Sequence, residues 1–204
     1  MAFLRPATPD DYFEPISGQR IVLRPPSMAD YSEWAELRAA SRAHLTPWEP
    51  QWAREDLSHM MFRRRLRLYA KDARDDLGFA YFVTSAMSQN ILGGITLMNI
   101  RRGVAQTASV GYWLGVQHVG KGYMSEAVRM ILDHAFQRLR LNRIEAATMT
   151  GNKASIRVLQ HTGFLREGVA RSFLKINGRW EDHIIFARLA ADPQAFSVHE
   201  EGNR

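Results

Sequence analysis

The sequence predicts a mixed α/β layer fold, and three observations support that prediction. Alternating, strand-like runs occupy residues 79–86, 91–100 and 107–115, and short turns join them. Apolar residues recur at spacings of three and four over residues 124–139, which indicates a helix with one buried face. Helical and extended segments alternate on both sides of this region. Because three successive strands with short connections form an antiparallel meander, we expect a layered sheet with helices packed against it.

The segments before the meander are a strand and two helices. Residues 1–18 form an irregular lead-in, residues 20–24 alternate like a short strand, and two prolines at 25 and 26 mark a turn. Residues 29–43 and 54–74 have helical periodicity, and the loop HLTPWEP lies between them. The second helix has a basic stripe, which is a solvated face or a contact for an acidic partner; its members are Arg63, Arg67, Lys71 and Arg74.

The segments after the meander alternate between helix and strand. A glycine-rich turn and its helix precede a strand over residues 143–150, a helix over 153–162 and two strands near 170–176 and 182–189. A chain of 204 residues is long enough for one sizeable core and short for two. We therefore predict a single domain over residues 19–190, with a lead-in over 1–18 and a tail over 191–204.

Composition restricts the functional class. A hydrophobic content of 46% and a charged content of 24% are typical of soluble globular proteins, and no run of about 18 apolar residues predicts a membrane span. The start MAFLRPATPDDYF lacks the apolar core of a signal peptide, so we expect a cytoplasmic protein without a membrane partner. The absence of cysteine and of paired histidine motifs predicts no metal site. The net charge of +6 favours acidic partners but does not predict sequence-specific binding of nucleic acid.

The segment GVQHVGKGYMSEAV places two glycines around a lysine directly ahead of a helix. A helix N-terminus leaves backbone N–H groups unpaired and has partial positive charge, which favours an anion such as phosphate. Gly115, Gly120 and Lys121 satisfy the first seven places of a nucleotide-binding P-loop, but Gly122 lacks the hydroxyl that would bind magnesium. A phosphate ligand that needs no metal, such as coenzyme A, fits better. The alternative is a glycine-rich loop without a ligand.

Three segments in this order resemble the GNAT superfamily of acyl-CoA-dependent N-acyltransferases. They are GYWLGVQHVGKGYMSEAV, EAATMTGNKASIRVLQHTGFLREG and INGRWEDHIIFARL. Together with the HLTPWEP loop, they make the chain most similar to the RimJ/RimL-like ribosomal-protein-alanine N-acetyltransferases, over roughly residues 18–190. The resemblance implies a mostly antiparallel central sheet flanked by helices, with strands that splay apart at the cofactor site. It also implies acetyl-CoA as the cofactor, without a metal.

By resemblance, the glycine turn binds the pyrophosphate of the cofactor. Gln117, Gly120 and Gly122 match one form of the family's pattern, whereas alignment on the ending G-x-G-Y-M places Val119 at the Gln/Arg position. We prefer the second register because it also aligns GYWL and SEA, and because main-chain N–H groups require no particular side chain. The implied pyrophosphate-binding residues are Val119, Gly120, Lys121, Gly122, Tyr123 and Met124.

The strand before the turn and a later helix complete the implied cofactor site. Tyr112, Trp113 and Leu114 end a strand that, in the family, hydrogen-bonds the pantetheine arm and the thioester carbonyl through its main chain. By pattern alone Asn152 is an ordinary helix N-cap, but the resemblance implies that it contacts the cofactor. The resemblance also places Ser155 near the sulfur, where its hydroxyl protonates the departing thiolate.

The acceptor side is predicted from two regions of the sequence. Glu49, in the TPWEP loop, is the first candidate for the base, and Glu181 and Asp182 are the next candidates. An N-terminal amine has a pKa of about 8, so a carboxylate that acts through water suffices. The alternative for each is a surface carboxylate. Trp48 and Trp180 are predicted to line the acceptor cleft, although buried core tryptophans are equally common.

Two classes of function remain open on the sequence. One is an enzyme that transfers acetyl from acetyl-CoA to a primary amine by direct attack in a ternary complex, since no cysteine can form an acyl-enzyme. The favoured acceptor is a protein N-terminal α-amine, ribosomal by resemblance; the alternatives are an aminoglycoside, a polyamine or an amino acid. The other class is a noncatalytic module that binds acyl-CoA. Ser155 and the carboxylate candidates favour the enzyme.

Overall fold

The computed structural model describes residues 14–193, which form one eight-stranded sheet with packed helices. The strands lie in the order β1-β2-β3-β4-β5-β6-β8-β7, and of these neighbours only β5 and β6 run parallel. Their bounds are β1 (Ile16–Ser17), β2 (Ile21–Arg24), β3 (Phe79–Ser85), β4 (Ile91–Arg101), β5 (Thr107–Leu114), β6 (Arg143–Met149), β7 (Leu165–Ile176) and β8 (Arg179–Leu189). The predicted mixed α/β class with a mostly antiparallel sheet is confirmed.

Five α-helices occur among residues 14–193, and their bounds are α1 (Tyr31–Ala40), α2 (Arg42–Leu45), α3 (His59–Arg74), α4 (Tyr123–Asp133) and α5 (Lys153–His161). A single wider turn of π-helix, His134–Arg138, extends α4. Short 3-10 turns precede α1 at Met28–Asp30 and follow α2 at Thr46–Trp48. Over the same stretch of chain, no helix has both the length and the apolar character needed to cross a membrane.

The boundaries of two predicted helices differ from the observed ones. Each observed boundary lies at a serine whose side chain accepts a hydrogen bond from a backbone amide. The helix predicted over residues 29–43 breaks at Ser41, which is buried and whose Oγ accepts a hydrogen bond from the Val116 amide at 2.9 Å. The helix predicted from residue 54 begins at His59, because Ser58 is its N-cap and accepts from the Met61 amide at 3.3 Å. Local polar bonds therefore set both boundaries.

The predicted lead-in and tail fall almost entirely outside the described residues. Of the lead-in over 1–18, only residues 14–18 are described, and they contain β1, which pairs Ile16 with Leu23 of β2. This short strand was not predicted. Of the tail over 191–204, only residues 191–193 are described.

The sheet separates two apolar layers because successive residues of a strand point to opposite faces. On β3, Tyr81 and Val83 belong to the larger core, whose helical members include Met124, Ala127, Val128, Ile131, Leu132 and Leu159 of α4 and α5. Phe82 belongs instead to a smaller core with Trp34 of α1 and Phe62 of α3, whose ring centroids lie 4.7 Å apart. Helices α4 and α5 thus cover one face, and α1 and α3 pack on the other.

The parallel neighbours β5 and β6 stay paired for only a short distance. Pairing runs from Thr107 opposite Arg143 to Ser109 opposite Glu145. Within residues 14–193 no pairing joins the two strands beyond that point, although β5 continues to Leu114 and remains paired with β4 throughout. The sheet therefore opens between β5 and β6, which agrees with the splayed strands that the resemblance implied.

Candidate active site

The glycine turn has a backbone conformation that only glycine adopts without strain. Gly120 has φ +75° and Gly122 has φ +80°, both in the left-handed region. Gly122 is the N-cap residue of α4, so the turn leads directly into the helix. A Cβ atom on Gly120 would meet nothing within 4 Å. The requirement for glycine at position 120 is therefore conformational and not one of space.

The amides of this turn are free to bind a ligand. Within residues 14–193, the backbone N–H groups of residues 119–125 donate to no acceptor, and the first amide of the segment with a partner is Glu126, which bonds the Gly122 carbonyl at 3.1 Å. Consecutive unpaired amides at a helix N-terminus form an anion site. The turn predicted to bind pyrophosphate thus has the donors that such a group requires.

Arg20, which directly precedes β2, contacts the glycine turn, and the sequence did not predict this contact. Its Nη1 donates to the Lys121 carbonyl at 3.0 Å, and its guanidinium lies 5.1 Å from the ring centroid of Tyr123. The carboxylate of Glu126 accepts from the Arg20 amide and from its Nε, both at 2.9 Å. Arg20 and Glu126 lie 106 residues apart in the sequence, so no local pattern predicts their pairing.

The end of β5 presents side chains to both faces of the sheet, as the alternation of a strand requires. Tyr112 and Leu114 pack against the larger core, whereas Trp113 packs against the smaller one. The Tyr112 hydroxyl lies 3.0 Å from Ser155 Oγ and 3.4 Å from the Ser155 carbonyl oxygen. Burial raises the pKa of Tyr112 to about 12, partly offset by the hydrogen bond to Ser155, so the phenol is neutral at physiological pH.

Asn152 caps α5 and thereby fixes the main chain of Ser155. Its Oδ1 accepts from the Ser155 amide at 3.0 Å, which is the N-cap geometry that its position in the sequence indicated. Within the described ranges its Nδ2 group has no hydrogen-bond partner. The cap leaves two N–H donors of this amide for a ligand, so capping and the predicted cofactor contact are compatible.

Glu49, the first candidate for the base, is held in an ion pair. Arg38 donates to it bidentately, with Nη1 2.8 Å from Oε1 and Nη2 2.6 Å from Oε2, and Trp52 Nε1 donates to Oε2 at 2.7 Å. The Arg38 guanidinium lies over the rings of Trp52 and Trp113, at 4.3 and 4.8 Å. A carboxylate has about four acceptor positions, and three are used here. Little capacity remains for an incoming amine.

The two regions predicted to border the acceptor meet in the structure. The Asn177 amide, in the turn between β7 and β8, donates to the Glu49 carbonyl oxygen at 2.9 Å. Trp48 is 36% exposed and Trp180 is 64% exposed, so neither is a core tryptophan. The loop over residues 46–52 and the β7–β8 turn are therefore in contact, and Trp48 and, on β8, Trp180 are exposed beside this contact. We call this region the acceptor rim, after its predicted role.

The carboxylates of β8 have different surroundings. β7 bulges between Ala170 and Leu174, where three residues lie opposite Asp182 alone. The Asp182 Oδ1 accepts from the Ser172 amide at 2.8 Å, and Ser172 has φ +46°, so Asp182 stabilises the bulge. The half-buried Glu181 forms no ion pair in the part of the chain that the structure describes. In the same part, no cluster of three or more histidine or acidic residues could hold a metal ion.

The mostly antiparallel sheet, its opening between β5 and β6 and the glycine turn that begins α4 are the arrangement that the resemblance to acyl-CoA-dependent N-acyltransferases implied. The family comparison specifies the class further. The acetyltransferase (GNAT) domain family matches residues 20–165, so the chain belongs to that family. It is an N-acetyltransferase that uses acetyl-CoA, and both the predicted family and the predicted enzyme class are confirmed.

The relatives include ribosomal-protein acetyltransferases. A protein of Bacillus subtilis, described as a probable N-acetyltransferase, YjcK, is 37% identical over 88% of this chain and 99% of its own. The ribosomal protein uS5-alanine N-acetyltransferase of Escherichia coli is 29% identical over 87% of this chain and 91% of its own. Mycobacterium smegmatis RimJ, solved in complex with CoA-disulfide, has a TM-score of 0.85 and 28% identity, over 90% of this chain and 92% of that one.

Proposed function

We propose that this acetyltransferase acts on the N-terminal α-amine of a protein, of the ribosomal-protein-alanine type. The observation that carries the proposal is the acceptor rim, in which the Asn177 amide joins the loop over residues 46–52 to the β7–β8 turn. Trp48 and Trp180 are exposed on it, so the acceptor side is an open edge. An extended peptide needs open access, whereas small-molecule sites enclose most of their ligand.

Similarity over nearly the whole chain supports the same acceptor. The uS5-alanine N-acetyltransferase of E. coli aligns with 87% of this chain and 91% of its own, so the similarity extends well beyond the cofactor region. A ribosomal protein as the acceptor would place the enzyme in the cytoplasm. A small-molecule amine is the alternative acceptor, and the experiment below distinguishes the two.

The glycine turn and β5 are the elements that would hold acetyl-CoA. The amides of residues 119–125, which are unpaired within residues 14–193, suit its pyrophosphate. The edge of β5 beyond Ser109, which pairs with no strand on the β6 side in that range, suits its extended pantetheine arm. The bound cofactor supplies an acetyl group activated as a thioester. Asn152 Nδ2 and the main chain of Tyr112, Trp113 and Leu114 provide further donors and acceptors along this path.

Ser155 is proposed to hold the proton that the reaction moves. A serine hydroxyl is a weaker acid than a thiol, so Ser155 cannot be the net source of the proton on the sulfur. It acts as a relay: Oγ gives its hydrogen toward the sulfur and regains one that originates on the attacking amine. The amine N–H bond and the C–S bond are broken, and the amide C–N bond and an S–H bond are formed.

We choose the candidate for the base by asking which carboxylate is not already held by another side chain. The carboxylate of Glu49 accepts hydrogen bonds from Arg38 and Trp52. We therefore propose that Glu49 stabilises the acceptor rim and that it is not the base. Asp182 holds the bulge of β7. Glu181 has no ion pair among the described residues and therefore replaces Glu49 as the first candidate, acting through water.

The acceptor is tested with peptides and acetyl-CoA. We expect peptides that begin with alanine or serine to be acetylated at the α-amine, as located by mass spectrometry of the product. Matched peptides with the α-amine blocked and one lysine retained serve as controls, and we expect no acetylation of these. Equal acetylation of the blocked peptides, or a far higher kcat/KM on an aminoglycoside, polyamine or amino acid, would overturn the protein acceptor and leave the acetyltransferase class intact.

A further inference from the structure

The hydroxyl groups of Tyr112 and Ser155 form a pair at the point where the sheet opens. Tyr112 lies on β5 beyond the last residue that pairs with β6, and Ser155 lies in the first turn of α5. Their oxygens are 3.0 Å apart, within hydrogen-bond distance. The sequence implied a role for Tyr112 through its main chain only, so the position of its side chain is unexplained by the predicted cofactor contacts.

We propose that Tyr112 is a positioning residue that donates a hydrogen bond to Ser155 Oγ and so directs the Ser155 proton toward the reacting sulfur. This inference rests on the proposed function of Ser155. A hydroxyl has one hydrogen and can accept two hydrogen bonds. If Tyr112 donates, the hydrogen of Ser155 stays available; if Ser155 donates to Tyr112, that hydrogen points away from the ligand.

Acidity decides the direction of the hydrogen bond. A phenol is a stronger acid than an alkyl hydroxyl and therefore the stronger donor, so Tyr112 donates and Ser155 accepts. Burial raises the pKa of the Tyr112 phenol to about 12, which keeps its hydrogen in place over the working pH range. The Ser155 carbonyl oxygen is the competing acceptor, but at 3.4 Å it is farther than Oγ at 3.0 Å.

Ser155 is then fixed at two points. The Asn152 cap holds its amide, and the Tyr112 hydroxyl holds its Oγ, which selects one of the three staggered side-chain rotamers. The ring of Tyr112 packs against the larger core, so the donor is itself held in place. A preorganised hydroxyl avoids the cost of orientation when the thiolate departs.

The test is a double-mutant cycle of Tyr112→Phe and Ser155→Ala. We expect Ser155→Ala to lower kcat by about tenfold to a thousandfold, the range for lost proton-transfer assistance. Tyr112→Phe keeps the ring and removes the donor, and we expect a loss of kcat of about threefold to tenfold in the wild type and none in the Ser155→Ala background. Tyr31→Phe is the matched control, because its hydroxyl donates one bond to the Leu57 carbonyl at 3.2 Å outside the site.

A second readout does not depend on turnover. The affinity for CoA is measured against pH, with desulfo-CoA as the reference, to give the pKa of the bound thiol. A directed hydrogen bond to the thiolate lowers that pKa, so we expect Tyr112→Phe and Ser155→Ala each to raise it, by about one unit for the second. Tyr31→Phe should leave it unchanged, and thermal unfolding of all variants confirms that they are folded.

The outcomes separate this inference from the proposed function. Wild-type kcat in Ser155→Ala would remove the role of Ser155 and this inference with it. A loss in Ser155→Ala together with wild-type kcat and bound-thiol pKa in Tyr112→Phe would overturn the positioning role alone. An equal loss from Tyr112→Phe with and without Ser155 would also overturn it, because Tyr112 would then act independently of Ser155.

Discussion

Replacement of Gly120 tests whether the glycine turn binds CoA. Gly120 has a left-handed conformation and open surroundings, so the effect of a side chain there on CoA affinity can be calculated. A residue with a Cβ at φ +75° is strained by about 1–2 kcal/mol. A Cβ at Gly120 would meet nothing within 4 Å, so no contact holds the strained conformation in the free protein. In Gly120→Ala the turn can therefore relax, and its amides move away from the arrangement that suits an anion.

The strain then returns when the cofactor binds. Restoring the left-handed conformation costs about 1–2 kcal/mol, which corresponds to a dissociation constant for CoA that is about five- to thirtyfold higher. Gly120→Val should weaken binding at least as much, since β-branched residues tolerate this region least. Gly120→Asn should weaken it less, because asparagine enters the left-handed region more readily.

Isothermal titration calorimetry with CoA measures the effect, and Gly103→Ala is the matched control. Gly103 lies in the turn between β4 and β5 with φ +64°, and a Cβ there also meets nothing within 4 Å. Both alanine variants should keep nearly wild-type stability in urea unfolding, because no contact holds either turn in the strained conformation, but only Gly120→Ala should lose affinity for CoA. Unchanged CoA affinity in a folded Gly120→Val variant would refute the assignment of this turn to the pyrophosphate.

Three further predictions concern side chains that support the site or the core. Arg20→Ala removes the bond to the Lys121 carbonyl, so the dissociation constant for CoA should rise about fivefold in calorimetry with little change in Tm. Arg38→Met and Glu49→Gln each break a half-buried ion pair, so each should cost about 1–3 kcal/mol in urea unfolding, and fully additive losses in the double variant would contradict their coupling. Burial, with a smaller effect of Arg138, lowers the pKa of His134 from 6.5 to about 4, so its contribution to stability is complete above pH 6.5 and is lost as the pH falls toward 4. In His134→Leu, the free energy of unfolding measured in urea should depend less on pH between 7 and 5 than in the wild type. An unchanged pH dependence would contradict burial of His134 as the cause.

The sequence predicted the helices and strands whose apolar residues recur with the period of the element, because such an element buries one face. Helix α4 is the clearest case, because the spacing that predicted it places five of its residues in the core. The start of β7 at Leu165 was missed, because residues 165–167 are exposed and have no strand-like alternation of burial. That part of β7 lies at the sheet edge and is defined by its hydrogen bonds to β8, which no local pattern shows.

The site was predictable where a single segment forms it and not where distant segments meet. The glycine turn and the Asn152 cap are local, and their residues were named from the sequence. The partner of Glu49 was not, because Arg38 lies on a separate helix with no pattern that links the two. The contact of Tyr112 with Ser155 spans 43 residues and depends on where the sheet opens, so only the folded chain brings the hydroxyls together.

The opening between β5 and β6 leaves a strand edge inside the molecule. Among residues 14–193, β5 pairs from residue 110 to Leu114 with β4 alone, so the backbone groups on its other edge are available to a ligand. A ligand bound there would take the place of a missing strand and would slow hydrogen exchange of amides along that edge. Because such a ligand binds only the folded chain, a hundredfold excess over its dissociation constant adds about 2.7 kcal/mol to the free energy of unfolding. The lifetime of this protein in a cell would then rise and fall with the supply of CoA and its thioesters.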